Sequence, residues 1–129
     1  VNMGLPAEEV KEAVNEALKE VDMLAALKRS SHHLSFGEKK RVSIATVLSM
    51  HPQILVLDEP SSNLDAKHRR ELIALLKRLP LAKIVATHDL DLVRETCSKV
   101  ALLDKGRIIT IGNASEILSN KSLLSAHNL

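Results

Sequence analysis

The sequence predicts an α/β fold with a mostly parallel sheet, and three observations carry that expectation. The short apolar run "ILVL" (54–57) is too short for a stable helix and reads as a strand buried on both faces, "KIVAT" (83–87) reads as a second buried strand, and "KVALL" (99–103) as a third strand. Segments with helical periodicity separate them, and strands alternating with helices favour parallel pairing through crossover connections. With 129 residues, 45% of them apolar, the chain is long enough to bury one core of about one domain.

Each element has a local reason. Leu5-Pro6 opens a helix in which Pro6 suits the first helical position. Glu8 and Glu9 favour the positive end, and Val10, Val14, Ala17, Leu18 and Val21 form one apolar stripe. A short apolar cluster, Met23 to Leu27, and the polar stretch "KRSSHH" follow. A second helix is expected from about Phe36 to Met50, ended by His51-Pro52 because the residue before proline avoids helical angles. After the strand at 54–57, Asp65 can cap a third helix carrying Leu72, Ile73, Leu76 and Leu79, closed by Pro80. The strand "KIVAT" leads to a helix from about Asp89 to Cys97. "KVALLDKGRIITIG" predicts a third strand and a hairpin turning at Lys105-Gly106, and Ala114 to Leu129 reads as one or two short helices.

Composition narrows the setting. A net charge of +2 with both signs interspersed gives no drive toward nucleic acid or an anionic membrane. Cys97 is the only cysteine, so no internal disulfide forms and a reducing, cytosolic setting is expected. No apolar run reaches the roughly 18 residues of a membrane span, and the acidic N-terminus lacks the form of a signal peptide. With no Trp or Tyr and one Phe, the core is aliphatic.

Chemistry is expected at the strand ends. In parallel α/β sheets, ligands sit beyond the carboxyl ends of the strands, and "ILVLDEP" places Asp58 and Glu59 there. Such a pair can hold a divalent cation through one carboxylate and orient a water through the other, a division of labour suited to phosphoryl transfer. The same acids can equally just begin a loop. Upstream, Ser35 and Glu38 have the spacing of a capping box, which taken alone is ordinary helix capping. Gly37 permits close approach to the backbone. Lys39, Lys40 and Arg41 then add positive charge at the positive end of a helix, a placement that solvent can screen or that a docked anion can offset.

The order and spacing of "LSFGEKKRVSIA", "ILVLDEP", "SSNLD" and "THD" resemble the ATP-binding-cassette (ABC) ATPases. Leu34 to Glu38 corresponds to the signature motif, Ile54 to Pro60 to the Walker B strand with its catalytic glutamate, Ser61 to Asp65 to the D-loop, and His88 to the switch histidine. The wording "KKRVSIATVLSM", "ATHDLDLV" and "LLDKGRI" is most similar to the cobalt, nickel and energy-coupling-factor importers. The resemblance implies the C-terminal half of a P-loop NTPase fold, with flanking helices and part of the helical subdomain. Residues 1–50 would be helical subdomain with the signature, and 51–129 the Walker B, D-loop and switch-histidine part of the core.

The resemblance also implies roles. Asp58 would bind magnesium and Glu59 act as general base or water orienter. His88 would donate to the γ-phosphate, Ser35 and Gly37 would contact ATP held by an opposite subunit in a head-to-tail dimer, and Asp65 would link the paired sites. The sequence departs from the usual pattern at Phe36, where glycine is common, and at Glu38, where glutamine is. A carboxylate beside ATP phosphates is electrostatically awkward, and commitment to the capping box would keep it away. The other five histidines read as surface residues.

No glycine begins the G-x-x-x-x-G-K-[ST] pattern of a P-loop, and the family's adenine-stacking aromatic and Q-loop glutamine are also missing. Val1 therefore reads as a start in mid-domain, and the chain alone as not competent for hydrolysis. In the family the Walker A strand lies between the strands matching "KIVAT" and "KVALL". Its absence would leave two edges that invite rearrangement or element exchange with a second copy. The implied partners are a second ATPase subunit and a transmembrane transporter subunit, on the inner face of the plasma membrane. Two other classes fit the motifs: a non-transport ABC ATPase of the DNA-repair or chromosome type, and a non-catalytic interaction module. A long heptad-patterned helix before the signature would mark the former, and the short helix beginning at Pro6 speaks against it.

Overall fold

The computed structural model describes residues 4–129. They gather into two compact units, one made of the residues up to 56 with 63–84, the other of 57–62 with 85–129.

In the first unit, helix α1 (Ala7–Glu20) buries Ala17 and Leu18 of the expected stripe, and Val21 of the same stripe is buried with Met23 just past the end of the helix. Pro6 stands one place before the helix with an extended ψ of 148°, so Ala7 takes the first helical position instead. Two 3-10 turns, Leu24–Ala26 and Ser31–His33, lead to α2 (Phe36–Leu48). This helix stops two residues short of Met50. The N–H groups of Met50 and His51 close tight turns on Val47 and Leu48, and His51 adopts a φ of 50° ahead of Pro52.

Helix α3 (Ala66–Arg78) begins at its Asp65 cap and buries Leu72, Ile73, Leu75 and Leu76, followed by Leu79. With Ile44 and Ala45 of α2 and Leu55, these residues supply an all-aliphatic interior. Arg78 donates to the Glu20 carbonyl and the Asp22 carboxylate, joining the ends of α3 and α1.

Strands β1 (Ile54–Asp58) and β2 (Ala82–Ala86) pair in a two-stranded sheet. The Glu59 N–H donates to the Ala86 carbonyl at 2.8 Å, which sets the carboxyl ends of the two strands side by side and makes the pair parallel. Neither strand is buried on both faces as expected. Leu55 is buried, while Ile54, Val56 and Ile84 are 54%, 69% and 59% exposed. Residues alternate between faces along a strand, and one face of this pair has no covering layer among the described residues.

In the second unit, α4 (Leu90–Thr96) is capped by Asp89, which accepts from the Leu92 N–H. Strands β3 (Lys99–Asp104) and β4 (Arg107–Asn113) form the expected antiparallel hairpin. Lys105 and Gly106 have φ of 47° and 74°, the two left-handed residues that a type I′ turn requires. An irregularity between Leu102 and Leu103 shifts the register, so Leu102 faces Thr110 but Leu103 faces Ile108. The strand β3 is covered on one face: Leu102 is buried and Leu103 is 63% exposed. Helices α5 (Ala114–Ser119) and α6 (Lys121–Ala126) end the chain, divided at Asn120, whose side chain caps α6. Val93, Ala114 and Leu118 form a small core with Leu90, Cys97 and Val100. Among the described residues, no helix is long and apolar enough to cross a membrane.

Candidate functional site

Glu59 and His88 come together in the second unit. Glu59 follows the last residue of β1 with a φ of 41°, a left-handed conformation that a non-glycine residue adopts only when its surroundings hold it there. They do so on three sides. Its N–H bonds the Ala86 carbonyl, and its carbonyl accepts from the Ser62 N–H and hydroxyl. Its carboxylate accepts from the Thr87 hydroxyl at 3.0 Å and from the His88 N–H at 3.1 Å, and lies 2.7 Å from His88 Nδ1.

The Thr87 hydroxyl also accepts from the Asp89 N–H, joining the Glu59 cluster to the cap of α4. Bonding to His88, seconded by Thr87, holds the Glu59 carboxyl below the ordinary glutamate range against the opposing effect of desolvation. Asp58 is exposed at the end of β1. No group of three or more His, Cys, Asp or Glu side chains is arranged to hold a metal ion among the described residues.

Ser35, Gly37, Glu38 and Asp65 lie in the first unit, around the start of α2 and α3. Ser35 and Glu38 form the complete capping box: the Ser35 hydroxyl accepts from the Glu38 N–H at 3.2 Å, and Glu38 Oε2 accepts from the Ser35 N–H at 2.7 Å. The second carboxylate oxygen is also engaged, because Arg29 donates to Oε1 at 2.9 Å while its other nitrogen donates to the His33 carbonyl at 2.7 Å. The backbone bond from Ser35, then Arg29, keeps the Glu38 carboxyl below the usual range. Both oxygens of the unusual glutamate are thus committed within the turn.

Gly37 is buried, and the space a Cβ would fill holds the ring of His68. Asp65 Oδ1 accepts from the His68 N–H at 2.9 Å, and Asp65 Oδ2 lies 2.8 Å from His68 Nδ1.

Thr87, Arg29 and His68 are the residues that sequence reasoning missed. Thr87 carries a local signal, since it adjoins His88 in "THD". Arg29 and His68 carry none, because their partners are fixed only by folding. Two of the five histidines read as surface residues are in fact half-buried and bonded: His68 to Asp65, and His127 to Asp104 at 2.9 Å.

A profile of the ABC transporter family matches residues 2–62. The chain is 48% identical over 130 aligned positions to an ABC transporter ATP-binding protein of Gloeobacter violaceus, covering 99% of this chain and 53% of that protein. It is 41% identical to the energy-coupling factor transporter ATP-binding protein EcfA2 of Clostridium perfringens, covering 100% of this chain and 47% of the other. Among solved structures, cbiO1 of Clostridium perfringens, described as part of the ABC transporter complex cbiONQ, superposes with a TM-score of 0.83 at 40% identity, covering 98% of this chain and 52% of that one. An ATP-binding cassette of an ABC transporter in its ADP conformation shares the fold, with a TM-score of 0.83 at 22% identity, over 97% of this chain and 52% of its own.

The fold and the sequence are therefore those of part of an ABC transporter ATP-binding protein. The chain belongs to the ABC transporter ATP-binding family, with relatives in its cobalt and energy-coupling-factor branch, and spans about half the length of the relatives it matches.

Proposed function

We propose that this chain is the C-terminal part of an ATPase subunit that energises import of a small substrate, of the cobalt, nickel or vitamin class, by hydrolysing ATP. The observation that carries the reading is the Glu59 carboxylate at the end of β1, gripped by Thr87 and His88. Its depressed pKa keeps Glu59 ionised at neutral pH and makes it a weak base, better suited to orienting a water than to removing its proton. Phosphoryl transfer through a loose transition state asks mainly for that orientation. The His88 side chain is 78% exposed, and in this reading it would turn from Glu59 to donate to a γ-phosphate.

Asp58 offers one exposed carboxylate, a donor set that fits magnesium when nucleotide phosphates and waters complete its shell. Magnesium bound with ATP supplies charge neutralisation at the phosphate oxygens. The turn at Ser35 and Gly37 would meet ATP held by a second ATPase subunit, with Glu38 kept from the phosphates by Arg29 and the capping box. Asp65 would link the paired sites. In this reading residues 1–50 are helical subdomain and 51–129 core. An N-terminal half supplies the P-loop and the strand that would lie between β2 and β3, and a transmembrane subunit holds the assembly on the inner face of the plasma membrane. Without that half, a second copy could cover the exposed strand faces.

The test is MgATP hydrolysis by this chain completed with a P-loop-bearing N-terminal half. Hydrolysis is expected, and Glu59→Gln is expected to reduce kcat by about a hundredfold or more while ATP binding persists. No hydrolysis in the completed chain would instead favour a non-catalytic interaction module.

A further inference from the structure

We infer that His68 is a positioning residue that locks the turn at Gly37 to the loop ending at Asp65, so that the two move as one piece; this rests on the nucleotide-binding reading of those loops. A Cβ built on Gly37 would stand 2.7 Å from His68 Cγ and 3.1 Å from its Cβ, and nearer still to Cδ2. These atoms lie at the root of the ring, so an alanine at 37 cannot be accommodated by swinging a flexible tip. The ring is also gripped from its other side. A carboxylate only accepts, so the 2.8 Å contact with Asp65 Oδ2 requires the proton on His68 Nδ1, and Asp65 Oδ1 takes the His68 N–H as well.

Ordinary N-capping accounts for that backbone bond. It does not account for a ring seated on a glycine of another helix. One turn further along both helices, Arg41 lies 3.7 Å from Glu71, so α2 and α3 are joined at a second level. Gly37 therefore lacks a side chain partly for an internal reason: the room it leaves is occupied by its own chain, through a residue that holds Asp65. A displacement of the Asp65 loop, as when a second subunit docks on it, is passed by the ring to the backbone of the Gly37 turn.

The experiment uses the chain completed by its P-loop-bearing half. Ring nitrogen NMR of His68 is expected to show the proton on Nδ1, to change in Gly37→Ala, and to lose its tautomer preference in Asp65→Asn. His68→Ala is expected to lower kcat about tenfold with the KM for ATP unchanged, as a small misplacement of a reacting group does. His68→Asn, whose amide can donate to Asp65 from nearly the Nδ1 position, should keep most of the rate, and Gly37→Ala should be less damaging when combined with His68→Ala than alone. His68 ring signals indifferent to Gly37→Ala, or a His68→Ala enzyme with native kcat and KM, would overturn the inference. If the completed chain hydrolyses no ATP, the nucleotide reading fails, while the ring signals still decide whether His68 and Gly37 are in contact.

Discussion

Glu59 is held by backbone and side chain together, and the consequence is a carboxylate that stays charged where an ordinary one would begin to protonate. The folded value lies below the ordinary 4.5, chiefly through bonding to His88 and then Thr87. For a depressed carboxyl, the stabilisation is present above the unfolded value and is lost as pH falls through the folded one. A carbon-detected titration of the Glu59 carboxyl is expected to place its midpoint below 4.5, and His88→Ala should raise it toward 4.5. A midpoint at or above the ordinary value in the native chain would contradict this account. The left-handed φ of Glu59 belongs to the same design, because it interrupts the strand's alternation just after Asp58 and turns the second acid to Thr87 and His88.

At the scale of elements, side chains carry the junctions that short elements cannot make alone. Helix α2 starts on a box whose glutamate is also claimed by Arg29, so the Glu38 carboxylate meets a cation as well as the backbone it caps. The terminal helix α6 is only six residues long, and its end is tied to the β3–β4 turn by His127 on Asp104. Bonding to His127, followed by the charge of neighbouring Lys105, holds the Asp104 carboxyl below its ordinary 3.8. By the same sign rule, that tie is complete above 3.8 and weakens as pH falls through the lowered value. Amide hydrogen exchange in α6 is expected to accelerate in that acid window, and Asp104→Asn should show fast exchange already at neutral pH. Equal protection of α6 in the two chains would remove the tie from the account.

For the whole molecule, the informative feature is apolar surface left uncovered. Val56 and Ile84 on one strand pair, and Leu103, Ile108 and Ile111 on the hairpin, are each more than half exposed. Contiguous apolar faces of this kind mark surfaces that another layer of protein covers, and the chain spans only about half the length of its relatives. The 129-residue chain by itself is therefore expected to self-associate, seen by light scattering on a sizing column. Val56→Lys with Ile111→Lys should shift it toward the monomer, and addition of the P-loop-bearing half should do the same without substitution. A monomer at roughly millimolar concentration, where weak association already shows, would argue that these faces need no partner.

What was legible in the sequence was whatever short-range chemistry decides. The capping box at Ser35 and Glu38, the Asp65 cap, the hairpin turn at Lys105-Gly106 and the alternation of strands with helices all depend on residues a few positions apart, and they appear as expected. The expectation of strands buried on both faces failed, because an apolar run reports that burial is wanted and not whether the chain contains the layer that provides it. Tertiary structure alone decided that Thr87 would share Glu59 across 28 residues, that Arg29 would neutralise Glu38, and that the ring of His68 would fill the space beside Gly37. Those contacts form only when separate elements pack, and no local propensity encodes which side chain will arrive.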